Sequence, residues 1–413
     1  MNILSLNSGS SSVKFAVFEH PDTDKKDAAL INIFNLKKIY DGKIEEIGSP
    51  YSSLYYEWQN GKRSGRAVIK DHFSAISIVI KELAISNISN INIIAHRFVH
   101  GGNIYKKPLI AKKSDINKLL KLNELAPLHN PSNIIGLKIA MELIPEATQV
   151  CFFDTAFHAT LPKHAYIYPL PIKYFEHLGI RRFGFHGISY SYINKIMNMA
   201  GFRFKKTIIC HLGNGSSICA VKNGKSVDTS MGYTPLEGLM MGTRTGDIDP
   251  SLAFILGAKL KIPEEELYDI FNKKSGLIGI SKKTYDLKEL LNNKDKYSKL
   301  AVKMFCYRIV KYIGAYSACL NGLDALVFSG GIGENSYVIR DYVCKNLGYL
   351  GIKLNRIKNI EASGAIMNTC SLGKLELKNS IFAINAGKPS VIVVKTDEEL
   401  MMASEAVKEV NNF

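Results

Sequence analysis

A chain of 413 residues, 46% apolar and 22% charged, has room for two or three domains with real cores and is no disordered polypeptide. Its formal charge of +16 comes as scattered doublets such as Lys25-Lys26, Lys37-Lys38, Lys112-Lys113, Lys205-Lys206 and Lys282-Lys283, without an arginine-rich arm or a basic stripe carrying aromatics. That argues for a solvated surface, attractive to anionic substrates, and against nucleic acid and membrane as partners. No apolar run reaches the ~18 residues of a membrane span. The first residues reach Asn7 and Ser8 without the apolar segment of a signal peptide. The seven cysteines are scattered with no Cys-x-x-Cys pair, which reads as reduced thiols in a cytoplasmic protein.

The first predicted strand is Ile3–Leu6 and the second Val13–Phe18, joined by "NSGSSS". A hairpin needs only two to four residues there; the surplus of hydroxyls and backbone N–H groups suggests a turn that holds an anion. Residues 20–66, with "HPDTDKKD" and the single tryptophan Trp58, read as outer strands and surface loops without chemistry. Phe73, Ile76, Ile80 and Leu83 recur at helical spacing, and Ile91–Ala95 is a strand. Ser114 is the expected N-cap of a helix over Asp115–Leu125. Strands follow at Val150–Phe153 and Thr207–Leu212. Pro263 and Glu264-Glu265-Glu266 open a helix that Gly276 is expected to end. Ala301–Leu320 is helical and stopped by Gly322. Ala325–Ser329 and Val391–Val394 are strands, and a last helix follows Asp397. Strands alternating with helices make the fold α/β.

One internal echo stands out. "ILSLNSGSSSVKFAVFE" (3–19) and "IICHLGNGSSICAVKNG" (208–224) are both strand, Asn/Gly/Ser turn, strand. Self-similarity of this kind indicates a duplicated domain, with a ligand expected between the halves. A third Gly-rich turn, Gly330–Asn335, also follows a strand. Glycines let backbone approach a ligand, and successive N–H groups form an anion nest. None of the three turns matches the Walker pattern or a complete dinucleotide fingerprint, so neither of those motifs applies.

The chain resembles the acetate kinase family, within the actin, Hsp70 and sugar-kinase superfamily, from end to end. The likeness is carried by "NSGSSSVKF", "HRFVHGG" (96–102), "APLHNP" (126–131), "FDTAFH" (153–158), "FGFHG" (183–187), "HLGNGSS" (211–217), "DTSMGYTPLEGLMMGTRTGDIDP" (228–250), "GGIGEN" (330–335) and "TDEE" (396–399). It implies two duplicated ribonuclease H-like domains of the actin-like ATPase fold with a cleft between them. Residues 1–153, completed by the helix 398–413, would form the N-terminal domain and 154–397 the nucleotide-binding one. The implied reaction is reversible transfer of a phosphoryl group between ATP and acetate, giving acetyl phosphate and ADP. Propionate or butyrate is the alternative acid. The implied cofactor is Mg2+, with Mn2+ as the alternative ion, and the implied assembly is a homodimer.

The same resemblance assigns roles. Arg97 would bind the substrate carboxylate, for which its planar fork is suited. Val99, Leu128, Phe185 and Pro235 would enclose a small acyl group. Arg244, framed by glycines in "GTRTG", would stabilise the transition state, and His186 would touch the transferring phosphoryl oxygens. Asp154 is an acid or positioning group in the family; positioning of the metal shell and the arginines is preferred, because a carboxylate nucleophile has no proton to lose. Taken singly, these residues would read as surface arginines, a core histidine and a turn aspartate. Asn7 and Glu398 would hold the metal, largely through water. Ser10, Ser12, Lys14 and His129 would contact phosphate. His211, Leu212, Gly213, Asn214 and Gly215 would hold the other phosphates, and Gly331, Ile332, Gly333, Glu334 and Asn335 the adenosine, with Asp286, Leu287 and Lys288 alongside. Two departures stand out: Lys288 occupies a usual arginine position, losing the planar fork, and Lys395 a usual proline position. An actin- or Hsp70-like ATPase driving a partner would need the phosphate turns but no carboxylate clamp.

Overall fold

The structure, a computed structural model, describes residues 1–21, 33–59, 61–88, 90–367 and 373–412. Most of "HPDTDKKD" lies outside the described residues. Two sheets organise the chain. The first holds β1 (Asn2–Ser8), β2 (Ser12–Glu19), β3 (Lys37–Glu45), β4 (Ser52–Trp58), β5 (Gly61–Ala67), β6 (Ile91–Phe98), β7 (Leu109–Ile110) and β8 (Thr148–Phe153). The second holds β9 (Lys206–Leu212), β10 (Ser216–Lys222), β11 (Lys225–Thr229) and β12 (Ala325–Ser329). A short β13 (Gly373–Lys374) returns to pair with β3, and β14 (Ile381–Ala383) and β15 (Ser390–Val394) complete the second sheet.

The echo in the sequence is an echo in topology. The first sheet contains the order β3-β2-β1-β6-β8 and the second β11-β10-β9-β12-β15. In each, three strands run as an antiparallel meander and the next two pair parallel to the first. Alternation along the strands feeds two kinds of core. Leu4 and Leu6 of β1 pack outward with Ala75, Ile76, Val79 and Leu83 of the helix His72–Ile85. Ile3, and Ile209 of β9, face the space between the sheets. Two helices fill that space, Gly187–Met199 and Glu398–Asn411, burying Tyr190, Ile193, Ile196, Leu400, Ala403 and Val407. Strand β12 is buried along its whole length, which is why it reads as an unbroken apolar run.

Several local expectations shift by one element. Phe73 is 46% exposed, so the buried stripe of its helix is turned toward Ala75 and Val79. The segment 113–124 is two 3-10 turns flanking a short helix, Ile116–Leu120. Ser114 lies inside the first turn, and Asp115 accepts from the Lys112 amide instead. Gly276, at φ +65, begins the helix Gly276–Ser281 rather than ending Glu264–Lys273. The long helix begins at Lys296, capped by Asp295, before the expected Ala301. "GGIGEN" is a short helix, Gly330–Asn335, not an open turn. Asp397 caps the last helix, accepting from Leu400 N. The six described cysteines are free, five of them buried. Among the described residues no helix is long and apolar enough to cross a membrane.

The parallel strands decide where chemistry can sit. β1, β6 and β8 end at Ser8, Phe98 and Phe153, and β9, β12 and β15 at Leu212, Ser329 and Val394. Open α/β sheets bind ligands beyond the carboxyl ends of such strands.

Candidate active site

Arg97 leaves the end of β6 and Asp154 the end of β8, on neighbouring strands in register. Arg97 Nη2 lies 2.7 Å from Asp154 Oδ2, and its Nε 3.2 Å from the same oxygen. The carboxylate therefore holds the side of the guanidinium fork. Glu398, the first residue of the last helix, places Oε2 3.8 Å from Arg97 Nη1. Burial opposes the Arg97 charge, yet Asp154 and Glu398 hold its pKa above the ordinary arginine value. Burial pushes the Glu398 carboxyl up to about 7, with Arg97 working against the shift.

His186 and Arg244 come from loops beside the second sheet, His186 against Ser217 of β10 and Arg244 against the Gly215 turn. His186 sits at φ 58, a left-handed conformation uncommon for a side-chain-bearing residue, just before the helix Gly187–Met199. Gly187 allows this: a Cβ there would stand 2.0 Å from the carbonyl oxygen of Asp154, and the Gly187 amide donates to that oxygen at 2.9 Å. The motif "FGFHG" thus brings His186 and Asp154 together. The His186 ring stacks on His211, centroids 4.4 Å apart. Burial, with His211, Arg97 and Arg244 nearby, holds its pKa well below the ordinary imidazole value. His129 is pushed down to about 4 by burial and by Arg244 and Arg97. The Arg244 Nη1 reaches the Pro235 carbonyl at 3.2 Å and the Met241 sulfur at 3.8 Å. No carboxylate pairs with it among the described residues, and burial lowers its pKa.

The two echoing turns present free donors. In the first, Gly9 N donates to Ser12 O, and the His72 ring meets Gly9 O at 2.6 Å. The amides of Ser10 and Ser11 have no acceptor among the described residues, and both residues are exposed. Asn7 lies opposite Lys14 across the hairpin. In the second turn Ser216 ties back to Gly213, and Gly242 N donates to Asn214 O. The amides of Asn214 and Gly215 are likewise unclaimed. A Cβ on Gly215 would stand 3.5 Å from His186 Nε2 and 3.7 Å from Arg244 Nη1, so this turn lies directly before both groups. Such paired amides form anion nests.

The remaining expected nucleotide residues divide. Gly330 packs on the Leu212 backbone, and Gly242 approaches both Asn214 and Tyr285, so the segments 212–215, 285–288 and 330–335 converge. Gly331 and Asn335 are exposed there, with Asn335 Nδ2 donating to Gly331 O. Within them, Leu287 is buried in the core, and Asp286 spends its carboxylate capping Lys288 N at 2.7 Å. Glu334 turns inward: its Oε1 accepts from Gly330 N and Thr396 N, both at 2.9 Å. It fastens the "GGIGEN" helix to the strand leading into Glu398, while Ile332 packs on the core beneath and Gly333 is buried.

The four acyl-pocket candidates meet on two sides of Arg244. Phe185 is buried against Met231 and Met241, with Val99 packed on them. Leu128 and Pro235 line a cavity of 180 Å³ together with His129 and Arg244. Met231 and Met241 escaped sequence reasoning; "SMGY" and "LMMG" surround the motif but do not say which methionine faces inward. Ser189 and Thr396 were equally unreadable: Ser189 Oγ meets His211 Nδ1 at 2.8 Å and Thr396 Oγ1 at 2.9 Å, and the Thr396 amide donates to Glu334.

The metal expectation can be tested against its donors. Ser5 of β1 donates to Glu399 O at 2.8 Å, which seats the helix start beside the strand that ends near Asn7. One amide oxygen and one carboxylate are hard donors suited to Mg2+, and too few to cage it without water and phosphate oxygens. Among the described residues no three His, Cys, Asp or Glu side chains gather as an ion cage. The donors fit an ion carried in with a nucleotide.

The sequence signature of the acetokinase family matches residues 2–404. The chain is 40% identical to the acetate kinase of Thermotoga maritima over 418 aligned positions, covering 98% of both. It is 41% identical to that of Carboxydothermus hydrogenoformans over the full length of both. Among solved structures, a propionate kinase from Francisella tularensis superposes with TM-score 0.86 at 34% identity, covering 98% of both chains. The Porphyromonas gingivalis acetate kinase superposes with TM-score 0.83 at 36% identity, covering 99% of both.

Proposed function

The chain belongs to the acetokinase family, and from that premise we propose that it phosphorylates acetate with ATP, giving acetyl phosphate and ADP, and catalyses the reverse reaction. The supporting observation is the meeting of Arg97, Asp154 and Glu398 with His186, Arg244 and the Gly215 turn: the Gly187 amide beside His186 donates to Asp154 O, and both arginines act on His129. Two anions must approach here, so the protein's task is positioning and charge neutralisation. Arg97, oriented by Asp154, binds the acetate carboxylate. One carboxylate oxygen attacks the γ-phosphorus, and the bond to the bridging oxygen breaks with its electron pair leaving on ADP. No proton need move. Arg244 and His186 contact the equatorial oxygens, and the amides of the two turns hold the phosphates, with Ser10, Ser12, Lys14 and His129 around them. Asn7 and Glu398 would hold Mg2+, which supplies neutralisation of phosphate charge. The segments 285–288 and 330–335 receive the nucleoside.

Val99, Phe185, Leu128 and Pro235 bound the acyl end and favour acetate. A second reading, propionate as the preferred acid, draws support from the likeness to the Francisella propionate kinase. We also place the N-terminal domain at 1–153 with 398–413 and the other at 154–397, and the protein in the cytoplasm. A homodimer is supported by the helix Ser251–Leu260, which buries none of its residues and leaves Phe254 79% and Leu260 63% exposed. Phe254→Glu should then give monomer in light scattering. The deciding test is acyl-phosphate formation from ATP with acids of two to four carbons, with Arg97→Ala and Arg244→Ala alongside. Acetate should give the highest kcat/KM, and near wild-type turnover in both variants would refute the arrangement.

A further inference from the structure

Tyr190 carries a phenol in a fully buried position. Its only hydrogen-bond partner among the described residues is Ser217 Oγ, at 2.5 Å. Ser217 Oγ in turn lies 2.9 Å from Nδ1 of His186. The other ring nitrogen, Nε2, has no protein partner among the described residues and faces the Gly215 turn beside Arg244. We propose that Tyr190 and Ser217 are positioning residues that hold His186 in the tautomer with its proton on Nε2, so that it offers the transferring phosphoryl group an N–H and not a lone pair.

The direction follows from donor accounting. A phenol has one proton and a hydroxyl one. With nowhere else to donate, the buried Tyr190 gives its proton to Ser217 Oγ. The Ser217 proton then points to the remaining neighbour, Nδ1, which must accept it. A neutral imidazole that accepts at Nδ1 carries its hydrogen at Nε2. In the opposite tautomer Nδ1–H would donate to Ser217 Oγ, and either the Ser217 proton or the phenol proton would be left with no acceptor among the described residues. Unpaired buried donors are disfavoured, and an Nε2 lone pair would face an anion. Burial next to Arg97 and Arg244 keeps the ring neutral, as the chain requires. His211 shows the contrast: its Nδ1 meets Ser189, whose partner Thr396 Oγ1 can donate or accept, so no tautomer is imposed there.

The catalytic use of this N–H rests on the role given to His186 above, so the test separates the two. In protein labelled with 15N-histidine, a long-range proton–nitrogen correlation spectrum at neutral pH distinguishes protonated from bare ring nitrogens. His186 is assigned by the signals lost in His186→Gln. The expected spectrum shows Nε2 protonated and Nδ1 bare. Ser217→Ala and Tyr190→Phe should let an Nδ1–H population appear and should lower kcat about tenfold and several-fold respectively, with KM for ATP nearly unchanged. A wild-type proton on Nδ1 overturns the proposal, as do wild-type spectra and turnover in both variants. Full turnover in His186→Ala beside a wild-type Nε2–H signal would instead remove the catalytic reading of this histidine and leave the hydroxyl relay standing.

Discussion

Arg97 and Arg244 both act on His129 and are held in different ways. Arg97 is held by Asp154 at 2.7 Å and has Glu398 at 3.8 Å. Among the described residues the Arg244 guanidinium donates only to a carbonyl and a thioether, and burial lowers its pKa. A guanidinium held by one carboxylate with a second nearby is fixed in direction. One buried without a counter-ion carries an unmet charge that an incoming anion satisfies. The difference supports the proposed roles, orientation by the first and charge stabilisation by the second, because only interactions that strengthen as the transition state forms raise the rate.

Breaking the second member should have the largest effect. Arg244→Ala is expected to lower kcat by on the order of 10³ or more with little change in KM for acetate, as arginines acting on phosphoryl groups do. Steady-state kinetics in both directions measure it; a loss confined to KM would erase the distinction between the two arginines. Asp154→Asn should reduce kcat/KM for acetate by about 10²-fold, since it frees the fork of Arg97 and leaves part of a buried ion pair unmatched. Combined with Arg97→Ala, its effect should fall well short of additive.

The imidazoles around both arginines are neutral at pH 7. His129, which feels both, and the core histidines His96 and His158 have pKa values pushed down to about 4 by burial. The unfolded chain binds these protons near the ordinary value of 6.5 while the folded chain waits until about 4. Stability contributed by the neutral rings is therefore complete above 6.5 and lost as pH falls toward 4, on the order of 1–3 kcal/mol for each core histidine. Thermal melts across that window should show the decline, and a flat midpoint from pH 7 to 4.5 would contradict it.

Smaller effects sharpen the picture. Met241→Ala opens space under Phe185 beside Arg244 and should raise the propionate-to-acetate ratio of kcat/KM by roughly tenfold, the scale of one methylene in an apolar pocket. Competition assays report it directly. Asp286→Ala removes a helix cap and should cost about 1 kcal/mol of stability, read from denaturant midpoints, with ATP KM rising a few-fold.

Much of the molecule was legible early. The strands Ile3–Leu6 and Thr207–Leu212 declare themselves as apolar runs, and their hairpins as repeated Asn/Gly/Ser turns, because period and turn chemistry are local properties. Helix Glu398–Asn411 was announced by Asp397, whose cap spans only three residues. The misplaced Ser114 cap and the helical "GGIGEN" show the limit of the same local rules. Ser114 is a good cap residue in a segment that never forms one continuous helix, and glycines that suit an open turn also suit the first turn of a helix fastened by Glu334.

By itself the sequence determined the repeated α/β halves, the glycine turns and the candidate arginines, since spacing, turn residues and motif content are written along the chain. Only the tertiary structure decided which arginine is paired and which is left with its charge unmet. It also decided that Glu334 faces inward and that a buried phenol sets the protons of His186. Those outcomes depend on partners brought together from distant strands, where burial removes water and leaves each donor and charge only the neighbours that folding supplies.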